Sequence, residues 1–331
     1  MVGVPLGSST RPDAGWVGDS TAPAESRVVL SFDVEEHDRI EAAAGLEIAE
    51  DLKAHSRERL RPPTRWILEH LAARGIRATF FVLGQIARHD PGLIREIHGG
   101  GHEVASHGWD HRRVHRFDPE GFRADLRRSR DALEQVTGQP VVGYRAPTFS
   151  IARRTAWALD VLAEEGMLYD SSIYPVRHDR YGVPAAPRGP FLARGPRRAI
   201  LELPPATLRI PGCNLPAGGG GYFRLLPLWV TRWAVRQTIR GGGPAVAMLY
   251  FHPWEFDPGQ RRLPLTGLNR FRTYVGIPRN RARLEALTSR GRFERADEVA
   301  RSLAAGSAGL QSWDIGGPTR IVDRDPEAGT T

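Results

Sequence analysis

The chain has 331 residues, of which 40% are hydrophobic and 25% charged, with a formal net charge of +8. These proportions are ordinary for a soluble globular protein, and the length suits a substantial single core, with one (β/α)-type domain as fitting as two. The charge is almost wholly arginine, Lys53 being the only lysine; it suits an anionic polymer or a peripheral membrane contact, although arginine-rich codon usage explains it more simply.

Residues 1–25 are rich in Gly, Pro, Ser and Thr and lack the apolar stretch of a signal peptide, so they read as a disordered N-terminal tail. A strand is expected over Val28 to Phe32, followed by a helix opening at Pro62 or Pro63 and closing at Gly75. A strand from Ala78 to Leu83, a helix from Pro91 to Ile97 and a strand from His102 to Ser106 follow. Asp118 is placed to cap a helix running from Pro119 to about Val136, with Gly138 as its terminator. Strand Val141 to Tyr144, helix Arg153 to Glu165 and strand Met167 to Tyr169 continue the alternation. Such a rhythm predicts parallel strands covered by helices.

From Pro175 to Gly221 the density of Pro and Gly predicts long loops with one strand at Leu201 to Leu203. Cys213 is the single cysteine, so no intramolecular disulfide is available. A helix near Leu225 to Arg240, a strand from Ala245 to Phe251 and a helical region from about Arg279 to Ala304 complete the reading. No stretch reaches the ~18 to 20 apolar residues of a membrane span, and a cytoplasmic protein is the expectation. The domain is read as 26–305 and residues 306–331 as a disordered C-terminal tail. No basic helix, zinc-finger spacing or aromatic-basic platform points to nucleic acid.

Five candidates fall at or just past the C-terminal ends of predicted strands: Asp33, His107, Arg145, Asp170 and His252. In (β/α) barrels that end carries the active site. Glu35, His107 and His111 make a two-His, one-carboxylate set for a divalent ion, zinc being usual and cobalt or another transition metal also suited. The spacing of His107 and His111 matches two positions on one helical turn. Glu36 competes with Glu35; even spacing from Asp33 favours Glu35. Asp33 is then the general base, with Arg145 its ion-pair partner. His252 is the general acid, with Asp170 placed to orient it. Tyr144, Pro147 and Trp254 flank these motifs as substrate contacts.

The set resembles the NodB-like polysaccharide deacetylases, carbohydrate esterase family four. The family's first motif corresponds to Phe32-Asp33-Val34-Glu35-Glu36, its metal histidines to His107 and His111, its Arg-x-Pro core to Arg145-Ala146-Pro147 and its late catalytic histidine to His252. Instead of the commoner Thr-Phe-Asp-Asp-Gly, the first motif here separates its carboxylates. Longer stretches, among them Tyr169-Asp-Ser-Ser-Ile-Tyr-Pro and His252-Pro-Trp-Glu-Phe-Asp-Pro, resemble the exosortase-associated subgroup encoded in exopolysaccharide loci. The resemblance implies a distorted (β/α) barrel of about seven units, a divalent metal and hydrolysis of N-acetyl groups on the amino sugars of a glycan. Two rivals stand beside it: a cyclic-amide hydrolase on the same scaffold, and a non-catalytic carbohydrate-binding relative.

Overall fold

A computed structural model describes residues 26–241, 243–306 and 310–317; the expected N-terminal tail lies outside them. In chain order the elements are β1 (Arg27–Val34), α1 (Glu50–Ala72), β2 (Thr79–Val82), α2 (Gly84–His89), α3 (Pro91–Gly99), β3 (Glu103–Ser106), α4 (Pro119–Thr137), β4 (Gly143–Tyr144), α5 (Trp157–Glu164) and β5 (Tyr169–Asp170). Then come β6 (Phe191–Arg194), β7 (Ala199–Glu202), β8 (Thr207–Ile210), β9 (Cys213–Pro216), α6 (Gly220–Leu225), α7 (Leu228–Ile239) and β10 (Val246–Phe251). The chain continues through α8 (Gly267–Tyr274), α9 (Ile277–Thr288), β11 (Phe293–Glu294), α10 (Ala296–Ala305) and β12 (Ser312–Asp314).

Parallel pairing runs β10-β1-β2-β3-β4-β5-β7. Past β7 the chain reaches back to β10 through isolated parallel bridges, Pro205 with Met248 and Gly219 with Tyr250. Pro204 and Pro205 have no N–H to offer, so no continuous ladder can form there. The result is a distorted barrel whose last seam is held by single bridges.

Inside the barrel, Val29, Phe81, Ala105, Tyr169, Leu201 and Met248 form one apolar cluster. α10 packs Val299, Ala300 and Leu303 against it from the N-terminal ends of the strands, where Ala296 and Asp297 donate their backbone N–H to Thr79 and Glu103. The outward faces (Val28, Leu30, Phe32, Phe80) belong to a second, larger core under the covering helices. Both faces of β1 are therefore buried, as a parallel sheet requires. Along its inner face the period of two carries Val29, then Ser31, then Asp33, from apolar depth to polar rim.

Close packing inside the barrel leaves little room beside Gly143. A Cβ there would come within 2.2 Å of the Tyr169 ring and hydroxyl, and that hydroxyl donates to Glu103 at 2.9 Å. Gly143→Ala is expected to destabilise the fold by about 1–3 kcal/mol, read from the urea midpoint.

Three expectations change. α1 starts at Glu50 and carries Pro62 and Pro63 in its interior; ion pairs of Arg57 with Glu50 and of Arg59 with Asp257 hold the turns before the prolines. The middle region is not loops with one strand: β6 and β7 pair antiparallel, as do β8 and β9, in runs too short and too broken by Pro and Gly to show a period. β12, inside the expected C-terminal tail, pairs in parallel with β6, and Ile315 is buried beside it.

Candidate active site

Strand ends deliver the polar residues to one place. Asp33 closes the inner face of β1 and Glu35 follows two residues on, just past the strand. His107 and Arg145 each stand one residue beyond a strand, their backbone N–H groups bonded to Val82 and Ser106 across the sheet. His252 follows β10 directly.

His107 and His111 do not share a helical turn. They sit on an irregular loop after β3, which Gly108 (φ 77°) and His111 itself (φ 67°) turn back on itself. A positive φ is costly for a non-glycine residue and is kept only where its surroundings impose it. Here it brings the ring centroids to 5.3 Å. Glu35 Oε2 lies 2.5 Å from His111 Nε2 and 3.8 Å from His107 Nε2. Glu36 turns away to Arg39, at 2.6 Å.

The three residues fit a divalent ion. One donor atom from each of Glu35, His107 and His111 lies within 4.8 Å of the others, and Glu35 Oε2 is buried without a well-directed hydrogen bond. The Arg145 carbonyl, 2.8 Å from His107 Nδ1, accepts its proton and leaves the Nε2 lone pair facing Glu35. Burial lowers the His107 pKa to about 4, favouring the neutral ligand form. Burial alone would raise Glu35; the nearby His111, His252 and His107 outweigh it and hold the carboxyl well below its usual range.

Arg145, one of the largest fully buried side chains, fixes Asp33. Its Nη1 donates to Asp33 Oδ1 at 2.6 Å and to Ser31 Oγ at 2.9 Å, while Nη2 reaches Ser171 Oγ at 2.9 Å. The guanidinium lies 4.0 Å above the Phe81 ring. It is closed off from the cleft and meets it only through Asp33.

His252 Nε2 faces the carboxylates, 3.9 Å from Asp33 Oδ2 and 3.7 Å from Glu35 Oε1. Its Nδ1 is held by Glu255 Oε1 at 2.6 Å, and Glu255 Oε2 accepts from Arg224 at 2.9 Å. Burial would lower the imidazole pKa, but the Glu255 hydrogen bond and the charges of Glu35, Glu255 and Asp33 raise it to about 9.

Asp170 does not orient His252. Its Oδ1 accepts from Ser172 at 2.5 Å, and its carboxyl lies against that of Glu202. Burial pushes Asp170 up to about 6, and burial together with the Asp170 charge pushes Glu202 well above the usual range. The residue that sequence reading missed is Glu255. Its signal was present in His252-Pro-Trp-Glu255, where a residue at the third helical position folds back on the capping residue.

Above these groups opens a cleft of about 400 Å³ walled by Phe149, Tyr181, Tyr222, Tyr250 and Trp254. Trp254 stacks on His252 with centroids 5.4 Å apart. Tyr144 and Pro147, expected beside it, are buried and do not line it. Tyr144 packs edge-on against Phe122 in the core beneath α4, and the cleft is walled instead by Ala146, Thr148 and Phe149 around Pro147.

Residues 58–167 match the family described as polysaccharide deacetylase, and residues 171–301 match a domain of unknown function, DUF3473. A chitooligosaccharide deacetylase from Rhizobium leguminosarum bv. trifolii is 33% identical over 100 residues, 30% of this chain and 44% of its own length. Residues 58–167 are thus of the NodB-like polysaccharide deacetylase type. Among solved structures, a candidate polysaccharide deacetylase from Mycobacterium smegmatis superposes with a TM-score of 0.61 at 21% identity, covering 96% of this chain and 99% of the other. Puue allantoinase superposes at 0.59 and 17% identity, covering 90% and 98%. At these identities the likeness is one of fold. The stretch matching the deacetylase family holds His107, His111 and Arg145, while His252 and Glu255 fall within the DUF3473 stretch. His252 and Glu255, whose Oε1 holds its Nδ1, thus come from the second of the two matched segments. The chain spans less than half the length of the curated deacetylase.

Proposed function

We propose that the chain is a metal-dependent hydrolase that removes N-acetyl groups from amino sugars of a polysaccharide or its precursor. The reading rests on one observation: Asp33 Oδ2 and Glu35 Oε1 both lie within 4 Å of His252 Nε2, at the floor of the cleft that also holds His107 and His111. A divalent ion held by Glu35, His107 and His111, zinc by the chemistry of that donor set, would supply Lewis acidity at the acetamide carbonyl. Asp33 takes the proton of the attacking water through Oδ2, the oxygen that Arg145 leaves open. His252 gives the Nε2 proton to the departing amine nitrogen as the C–N bond breaks, and acetate and the free amine leave. Trp254 and the aromatic wall offer flat faces to sugar rings. The resemblance of the longer motifs to the exosortase-associated subgroup supports a role in exopolysaccharide biosynthesis.

The test is acetate release from N-acetylglucosamine oligomers by the purified chain, before and after chelator treatment and with zinc restored. Release that the chelator abolishes and zinc returns supports the reading. No release from any acetylated oligosaccharide, with ring opening of allantoin instead, would replace it with a cyclic-amide hydrolase.

A further inference from the structure

Apolar side chains crowd the mouth of the cleft. Leu225 at the end of α6 and Leu268 and Phe271 on α8 line the opening, yet they are 52%, 58% and 53% exposed. Leu268 and Phe271, three residues apart, share one face of α8. Four residues beyond Leu225, α7 presents Trp229 and Trp233, 61% and 45% exposed with rings 6.2 Å apart. These are five of the six large apolar side chains left exposed among the described residues. They fall in two short segments, and three of them rim one opening.

The charge beside them is positive. The acids at the rim are paired, Glu41 with Arg113 at 3.0 Å and Asp179 with Arg272 at 3.5 Å. Arg180, which lines the cleft, and Arg270, between the two apolar residues of α8, form no salt bridge among the described residues. Leu225 and Leu268 offer a water-soluble glycan neither a hydroxyl partner nor an aromatic face. A second copy of the chain would bring arginine against arginine. Apolar anchors beside unpaired cations match an interfacial membrane contact.

We propose that this rim docks on an anionic bilayer surface and brings the cleft mouth to a lipid-anchored glycan. The identity of what enters the cleft rests on the deacetylase reading; the docking does not.

The test is sedimentation of the full chain with extruded vesicles of phosphatidylcholine alone, or containing about 30% phosphatidylglycerol. Binding to the anionic vesicles is expected, weakened by salt and at least about tenfold weaker in Leu268→Gln/Phe271→Gln. Trp229→Gln/Trp233→Gln should also bind less, with acetate release from a soluble oligosaccharide unchanged. Absence of vesicle binding overturns the proposal, as does equal binding by a Leu268→Gln/Phe271→Gln protein with native melting. Self-association that this variant abolishes, without vesicle binding, would assign the rim to a second copy. Vesicle binding by a chain that releases no acetate would leave docking standing and remove the deacetylase reading.

Discussion

Asp33→Asn is expected to leave a folded protein whose kcat for acetate release is lower by about 10²–10⁴-fold, the usual contribution of a positioned base. The amide keeps an oxygen where Arg145 Nη1 now donates at 2.6 Å, so the buried guanidinium retains an acceptor. What it loses is the second oxygen able to take a proton. Arg145→Met acts on the same pair from the other side with a different signature. Asp33, 2% exposed, would stay buried without its cation, and breaking a buried pair from one side costs about 3–5 kcal/mol. The double variant should recover part of that loss while remaining inactive, because no unpaired charge is left. Urea midpoints and kcat for the two single variants and the double variant check both statements. An Arg145→Met protein with native stability and native kcat would detach Arg145 from the site altogether.

The parts of the site legible in sequence were those carried by strand ends. Asp33 and Glu35 follow from a period of two, and His107, Arg145 and His252 from their places one residue past β3, β4 and β10. The choice between Glu35 and Glu36 needed coordinates, since it depends on Arg39 drawing Glu36 aside in the short turn after β1. Asp170 was misread for a related reason. Its strand end is real, but a barrel has more strand ends than a site has roles, and the partner that claims Asp170 is Glu202, whose segment read as a strand inside loops. Tyr144 shows the limit of reading side chains from motif neighbours: it lies next to Arg145, and successive residues of an extended chain face opposite ways. One faces inward to Asp33, the other outward to Phe122. The closure of the barrel was hidden as well, because two isolated bridges leave no pattern in the residues.

Glu255→Gln is expected to move the alkaline limb of kcat to lower pH. As general acid, His252 works only while protonated, so activity should fall as the pH rises through its pKa, which stands above the ordinary 6.5. The pKa stands that high against burial, which pulls the other way; the Glu255 hydrogen bond leads the groups that raise it above the ordinary 6.5. A glutamine keeps one oxygen for Nδ1 but no charge, so burial gains weight and the limb retreats toward that ordinary value. Rate should then be lost more at about pH 8 than at about pH 6, where the imidazole is still protonated. The same change turns an amide toward Arg224, whose guanidinium now donates to Glu255 at 2.9 Å. Some loss of stability is therefore expected alongside, and Arg224→Met reports that part separately because it leaves the His252–Glu255 bond in place. A kcat lowered by the same factor at every pH would make Glu255 a structural residue. A limb displaced in Glu255→Gln and unmoved in Arg224→Met would make it the group that keeps the acid charged.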